Sequence, residues 1–403
     1  MTTKTANKLI TLLFRFAILF EIFWGAHAWF TWQCDLSKSN RYLALAIVFL
    51  TSFVYQKNQR LILKKSSNTI GALFCYFIGF WILSRFTLGS LVGNVLSIYP
   101  IWVLLSDKKN ASSHLDFVVK ILSLILFVGI IEYFILQLIS LPGPLISYMD
   151  ARGYEFFNYG FCLIPLHSLG GFFRFSSVFL EPGYMGALLA FLLYAVKYDF
   201  SKRYIRILLY SLLISLSLAG YILFVIGYIL YQSDKGFNLV KYIEIAFCIG
   251  VVYFSAINYN GGKNFVNERI IERLQPDDKK GIAGNNRTSE VTEKYFREGF
   301  KNGSNLFGLG PAKVKHINGG DDLVDGFSHD NINGAGYQYF IVVHGIIPAI
   351  FFLFFYIKLG HSICRSYRYR RFMVLLVILT FIQASYPSSP SWIYPIILGL
   401  NSY

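Results

Sequence analysis

Apolar runs, most of them close to the about 20 residues that a helix needs to cross a bilayer, recur along the whole chain and leave it few possible folds. They fall at about 9–30, 42–56, 69–84, 88–105, 117–140, 178–196, 205–217, 220–231, 240–258, 337–357, 372–385 and 390–402. One of them, "ALLAFLLYAV" directly after Gly186, carries no charge at all. With 55% hydrophobic and 15% charged residues and a mean hydropathy of +0.49, the chain is too apolar for a soluble globule of average make-up. The pattern predicts an all-α polytopic membrane protein of about 12 transmembrane helices.

Charge sets the expected sidedness. The formal net charge of +15 would suggest nucleic acid as partner of a soluble protein, but the basic residues cluster in short loops between apolar runs, where they orient a membrane protein. Nucleic acid is therefore excluded. Lys57, Arg60, Lys64 and Lys65 mark one cytoplasmic loop, Lys197, Lys202, Arg203 and Arg206 a second, and Lys358, Arg365, Arg368, Arg370 and Arg371 a third. All three share a side only if 205–231 crosses twice, with a break at "SLAG". The first run, "LITLLFRFAILFEIFWGAHAWF", lacks a small-residue cleavage site and reads as a retained span. Both termini are then cytoplasmic. The expected organisation is 1–258 with nine spans and an external loop at about 142–177, a large external loop at 259–336, and 337–403 with three more spans. The 259–336 loop holds eleven Lys plus Arg and eleven Asp plus Glu, and a polar segment of that length is usually functional.

The chemistry open to the external segments is narrow. Five cysteines, at 34, 75, 162, 248 and 364, show neither CxxC nor Cys/His ligand spacing, so no metal site is expected; a Cys34–Cys162 disulfide is compatible with the scatter. HExxH and GxxxxGK[ST] are absent, and the GxG of "LFGLGPAKV" lacks the flanking strand and helix of a dinucleotide site. No cofactor is expected. What remains outside is arginine and histidine among aromatic residues: Arg174, Arg287, Arg297, His316 and His329. Arginine grips phosphate oxygens with a planar fork, which suits a pyrophosphate at a membrane surface. In "FRFSSVFLEPGYMG", Arg174 and Glu181 stand seven residues apart, two turns if the stretch is helical; Pro182 fits a first helical turn, which makes Glu181 an N-cap.

The loop containing "NNRTSEVTEKYFREGFKNGSNLFGLGPAK" and then "SHDNINGAGYQYFIVVHGIIPAIFF", set among these apolar runs, resembles the O-antigen polymerase and ligase superfamily of bacterial envelopes. The order of features is similar: an arginine, an aromatic-rich amphipathic stretch, "LFGLG", the His of "SHDN", and "HGIIP" entering the next span. Arg297, ten residues and Gly308 match the RX10G pattern of Wzy-type polymerases, with Gly310 closing the same turn. "RFSSVFLEPGYMG" resembles the other external arginine motif, although its glycine falls at 186, one residue late. The resemblance covers most of the chain as architecture and about 80 residues as motif.

That resemblance implies a metal-independent inverting glycosyltransferase in the bacterial inner membrane. Its donor is a glycan on undecaprenyl pyrophosphate and its acceptor a sugar hydroxyl of a second lipid-linked repeat unit, with a chain-length regulator and a flippase as further partners. Arg174, Arg287 and Arg297 would hold the pyrophosphate, His329 would take the acceptor proton, and Glu181 is a second candidate base. RX10G favours a polymerase over a ligase. Within the membrane, Arg15 and Glu21 are expected to pair across their own helix or to snorkel, Glu244 lies near the cytoplasmic end of its span, and Glu132 is the best buried candidate. Such groups also serve proton-coupled transporters, so a lipid-sugar flippase is the alternative from another class.

Overall fold

The computed structural model describes residues 3–33, 38–139, 143–147, 155–166, 173–236, 239–264, 266–267, 271–272, 275–277, 281–282, 289–318, 331–332, 334, 336–383 and 387–403. The chain is mostly helical. In order, its helices are α1 (Thr3–Gly25), α2 (Trp29–Gln33), α3 (Lys38–Asn58), α4 (Ser67–Leu83), α5 (Leu88–Ser106), α6 (Ala111–Leu138), α7 (Pro182–Ala195), α8 (Arg203–Ile214), α9 (Leu218–Lys235), α10 (Leu239–Asn258), α11 (Glu290–Asn302), α12 (Pro311–Ile317), α13 (Tyr337–His344), α14 (Ile346–Ile363), α15 (Tyr367–Gln383) and α16 (Pro390–Asn401). Three of these, α5, α6 and α14, are long and apolar enough to cross a membrane; α4 and α7 are shorter apolar helices.

Helix boundaries follow local chemistry. Ser66, Thr87, Ser217, Ser289 and Ser389 each precede a helix and accept a backbone N–H of its first turn, which satisfies one of the orphan donors there. The run 205–231 is two helices, α8 and α9, separated at 215–217 where Leu216 has φ +49°.

Two corrections apply to the expected fold. It is not all-α: strands β1 (Leu145–Ser147), β2 (Glu155–Asn158) and β3 (Leu163–Pro165) form an antiparallel sheet in that order, and β4 (Pro276–Asp277) pairs with β5 (Gly281–Ile282). Alternation along β2 and β3 turns Phe156 and Leu163 to one side, where they pack with Leu180 against Trp29. In addition, the helix expected from 178 begins at Pro182, because 173–181 is irregular and turns at 177–178, where Ser177 has φ +50°. The Cys162 thiol is free and buried, and Cys34, its expected disulfide partner, lies outside the described residues.

Hydrogen bonds between helix ends define two faces. At one, Ser389 Oγ donates to Gly25 O (3.0 Å), Trp29 N to Val178 O (2.9 Å), Leu180 N to His27 O (3.0 Å) and Arg174 Nε to Ser215 O (3.2 Å). This is the loop face. At the opposite, terminal face, Lys64 Nζ donates to Ser362 O, Lys197 Nζ to Ser402 O (3.5 Å) and Arg368 to Ser233 O (3.4 Å). The three basic loops therefore gather on one face, together with the end of α16. Between the faces lies one large apolar core, centred on α7, which is buried from Met185 to Ala195.

Candidate functional site

The stretch that carries Arg174 and Glu181 is a buried, non-helical segment clamped on three sides. Tyr133 Oη of α6 donates to Phe173 O (3.1 Å), Leu163 N of β3 to Ser177 O (3.0 Å), and the α1–α2 corner pairs with Val178 and Leu180. Phe175, Ser177 and Phe179 are fully buried. With no helix between them, Arg174 and Glu181 do not share a helical face. Arg174 lies at the α8–α9 break, and Glu181 is exposed at the N-cap of α7, where its side chain makes no capping bond. The carboxylate therefore faces solvent beside the positive end of that helix.

Segment 289–318 forms a small lobe on α13. Val314, Ile332, Val342 and Val343 make its core, with Tyr295 and Phe296 of α11 packed on it. The "LFGLG" turn is a strap: Gly308 N donates to Ser304 O (2.8 Å), Leu309 N to Val342 O (2.7 Å) and Gly310 N to Val343 O (2.8 Å). Gly308 has φ +69°, and a Cβ there would lie 2.6 Å from the Val343 carbonyl and the Gly345 nitrogen, so only glycine permits the approach. Arg85, in the α4–α5 turn, fastens the strap by donating to Gly308 O (2.9 Å) and Val343 O (3.2 Å). Burial pulls the Arg85 guanidinium below its usual pKa.

Beside the strap opens a cavity of about 420 Å³, lined by α1, α3, α4, α5 and α16. Ser84, Thr87 and Ser388 are among its lining residues. It follows α5 from Thr87 to Ile101, about 21 Å of helical rise. Its fixed charges are Glu21 and Arg41, joined fork to fork at 2.9 and 3.0 Å, with the guanidinium stacked 4.3 Å above the Trp24 ring. Glu21 is 2% exposed and Arg41 23%, so the carboxylate is sealed while the arginine keeps an edge to the cavity. Trp24, Tyr42, Tyr76 and Tyr394 supply aromatic surface, and Ser90 and Ser97 add hydroxyls. Such a lining, aromatic faces with convergent hydroxyls and one charged pair, is the make-up of a small-molecule site.

These features adjoin. Trp24 lines the cavity and its carbonyl accepts from His27 N (3.2 Å); His27 in turn holds Leu180, next to Glu181, and its ring lies 4.9 Å from Tyr184. Ser84, which lines the cavity, precedes Arg85, which holds Gly308. Cavity, strap and the N-terminus of α7 thus meet at the loop face. Arg297 is elsewhere: on α11, its side chain is 79% exposed and 3.7 Å from Glu293, one turn earlier. His316 is exposed in the last turn of α12. Arg287 and His329 lie outside the described residues, as does the side chain of Glu244.

The expectations for intramembrane charges need revising. Glu21 pairs with Arg41 of α3, not with Arg15, because residues six apart point to different sides of α1. Arg15 instead donates to His114 Nδ1 (3.2 Å) and Ser113 Oγ (2.6 Å). Glu132 is only half-buried and accepts from Phe161 N (3.0 Å), which ties α6 to the strand loop; among the described residues the deeply buried carboxylates are Glu21 and Asp107. Sequence reasoning missed Arg41 and Arg85. Both stand in short connections that the charge argument assigns to the outside, Arg85 alone and Arg41 three residues after Lys38, where basic residues are disfavoured, and that exception was the available signal. Comparisons with protein-family models, with curated proteins and with solved structures find no match.

Proposed function

We propose that this chain is a glycosyltransferase of the bacterial inner membrane that joins saccharide repeat units carried on undecaprenyl pyrophosphate, as O-antigen polymerases do. In this reading the chain crosses the membrane about twelve times. The terminal face is cytoplasmic, in keeping with its three basic loops, and segment 259–336 is periplasmic.

The observation that best supports the reading is the loop-face cavity. A lipid-linked saccharide combines hydroxyl-bearing rings, a pyrophosphate and an apolar chain. The cavity offers aromatic faces and hydroxyls for the first, a guanidinium edge for the second, and a course along α5 in the apolar bundle for the third. The acceptor hydroxyl attacks the anomeric carbon, the bond from that carbon to the pyrophosphate oxygen breaks, and the configuration inverts. The proton passes to a base, His329 or Glu181, and the charge that develops on the pyrophosphate is stabilised by arginines. Arg174, whose Nε donates to Ser215 O at the α8–α9 break, is kept with Arg287 and Arg297 as a proposed contact. A ligase would use the same donor with a different acceptor.

The test is reconstitution of the full chain in vesicles with synthetic undecaprenyl-pyrophosphate repeat units. A ladder of products differing by one repeat unit is expected. Units that cross the bilayer with unchanged mass would replace the reading with a flippase.

A further inference from the structure

The terminal face holds a second cavity, of about 490 Å³, between the first turns of α6, the α7–α8 turn, the last turn of α9 and Ser402. Five charged side chains line it: Asp116, Lys197, Asp199, Lys202 and Lys235. Three are already paired. Asp116 is held by Lys120 at 2.7 Å and by the Tyr204 hydroxyl, and Asp199 is 3.3 Å from Lys202. Lys197 and Lys235 have no carboxylate within 4.0 Å among the described residues. Each ammonium rests on a tyrosine ring, Lys197 at 4.7 Å from the Tyr403 centroid and Lys235 at 4.6 Å from that of Tyr231, and Lys197 also donates to Ser402 O (3.5 Å).

The backbone is shaped to put Lys197 there. Lys197 and Tyr198 have φ of +60° and +52° in succession, a conformation that side chains with a Cβ rarely adopt. It persists because Tyr198 is packed among Tyr194, Tyr228 and Tyr231. Strain held in place by surrounding packing, at a turn that presents a cation to a cavity, motivates a functional hypothesis there.

We propose that this cavity binds the phosphate of an anionic phospholipid headgroup, with Lys197 and Lys235 as its cations. Ammonium groups on tyrosine rings at helix ends lie at headgroup depth, and basic pockets between helices at a cytoplasmic surface take such headgroups. Water-soluble phosphate has the same chemistry but no anchoring chain. The bound phosphate would bridge the start of α6, the α7–α8 turn and the end of α9. The inference depends on the chain lying in a membrane and not on its catalytic reading.

The test uses the full chain in nanodiscs of phosphatidylcholine, with or without phosphatidylglycerol, and reads lysine acetylation by mass spectrometry. Phosphatidylglycerol should protect Lys197 and Lys235 while leaving Lys313, on α12, unchanged. Phosphatidylglycerol retained in native mass spectra should fall roughly 30-fold in Lys197→Gln/Lys235→Gln, from the loss of two surface lysine contacts. The acetylation readout needs no variant, so a misfolded double variant leaves the test intact. Equal acetylation in both nanodiscs would overturn the proposal, and equal protection in phosphatidylcholine by inorganic phosphate at the same concentration would overturn the lipid as the source.

Discussion

The interface of α1 with α3 carries a polar contact toward each end, and the two differ in one respect. Toward the terminal face, Tyr55, Asp107 and His114 are 0%, 2% and 0% exposed. Asp107 accepts from Tyr55 Oη (2.5 Å) and Asn110 Nδ2 (3.0 Å) and meets His114 Nε2 at 3.1 Å, while His114 Nδ1 accepts from Arg15. That network is closed, with its polar atoms turned on one another. Toward the loop face, Glu21 is equally buried, but its partner Arg41 opens onto a cavity. A sealed polar cluster holds helices together, whereas one left open to a cavity keeps hydrogen-bonding capacity for a ligand. The first is a clasp and the second the proposed site.

The largest effect should come from splitting the open pair. Arg41→Ala leaves the Glu21 carboxylate buried without its counter-charge and should cost about 3–5 kcal/mol, whereas Glu21→Leu/Arg41→Met should recover most of it. Thermal unfolding in detergent reads both, and an unchanged melting temperature in Arg41→Ala would mean that Glu21 is solvated through the cavity. Next comes the clasp. Asp107→Ala removes the shared acceptor of three side chains and should cost about 1–3 kcal/mol, with polymerisation per folded molecule unchanged; a specific loss of turnover would erase the distinction between clasp and site.

The strap should respond locally. In Gly308→Ala the new Cβ meets the Val343 and Gly345 backbone, so limited proteolysis within 303–318 should accelerate while the main unfolding transition stays in place; Arg85→Ala should do the same more mildly. Unaltered cleavage in both variants would detach the strap from the account. The smallest stability effect belongs to Arg297. Its pair with Glu293 is exposed, and Arg297→Ala should shift stability by under about 0.5 kcal/mol, so any shortening of the polymer would come from lost substrate contact and not from misfolding.

Much of the helical order was legible in the sequence, because apolar runs and caps act locally. The division of 205–231 into α8 and α9 followed from loop charges alone. The non-helical course of 173–181 was not legible: its residues are as apolar as those of a helix, and what holds them out of a helix is pairing with β3 and the α1–α2 corner, both distant in sequence. Gly308 was visible as a turn, but its reason, close approach to Val343 and Gly345, exists only once α13 and α14 are in place. The Glu21–Arg41 pair was missed for a similar cause. Two charges twenty residues apart on different helices give no periodic signal, and Arg15, closer in sequence, was the misleading neighbour.

The most direct measurement of the central claim compares the wild-type chain with Glu21→Leu/Arg41→Met in identical vesicles supplied with lipid-linked repeat units. The account predicts two proteins with similar melting temperatures, a ladder from the first and unextended units from the second. A full ladder from the double variant would contradict the assignment of the loop-face cavity to the substrate.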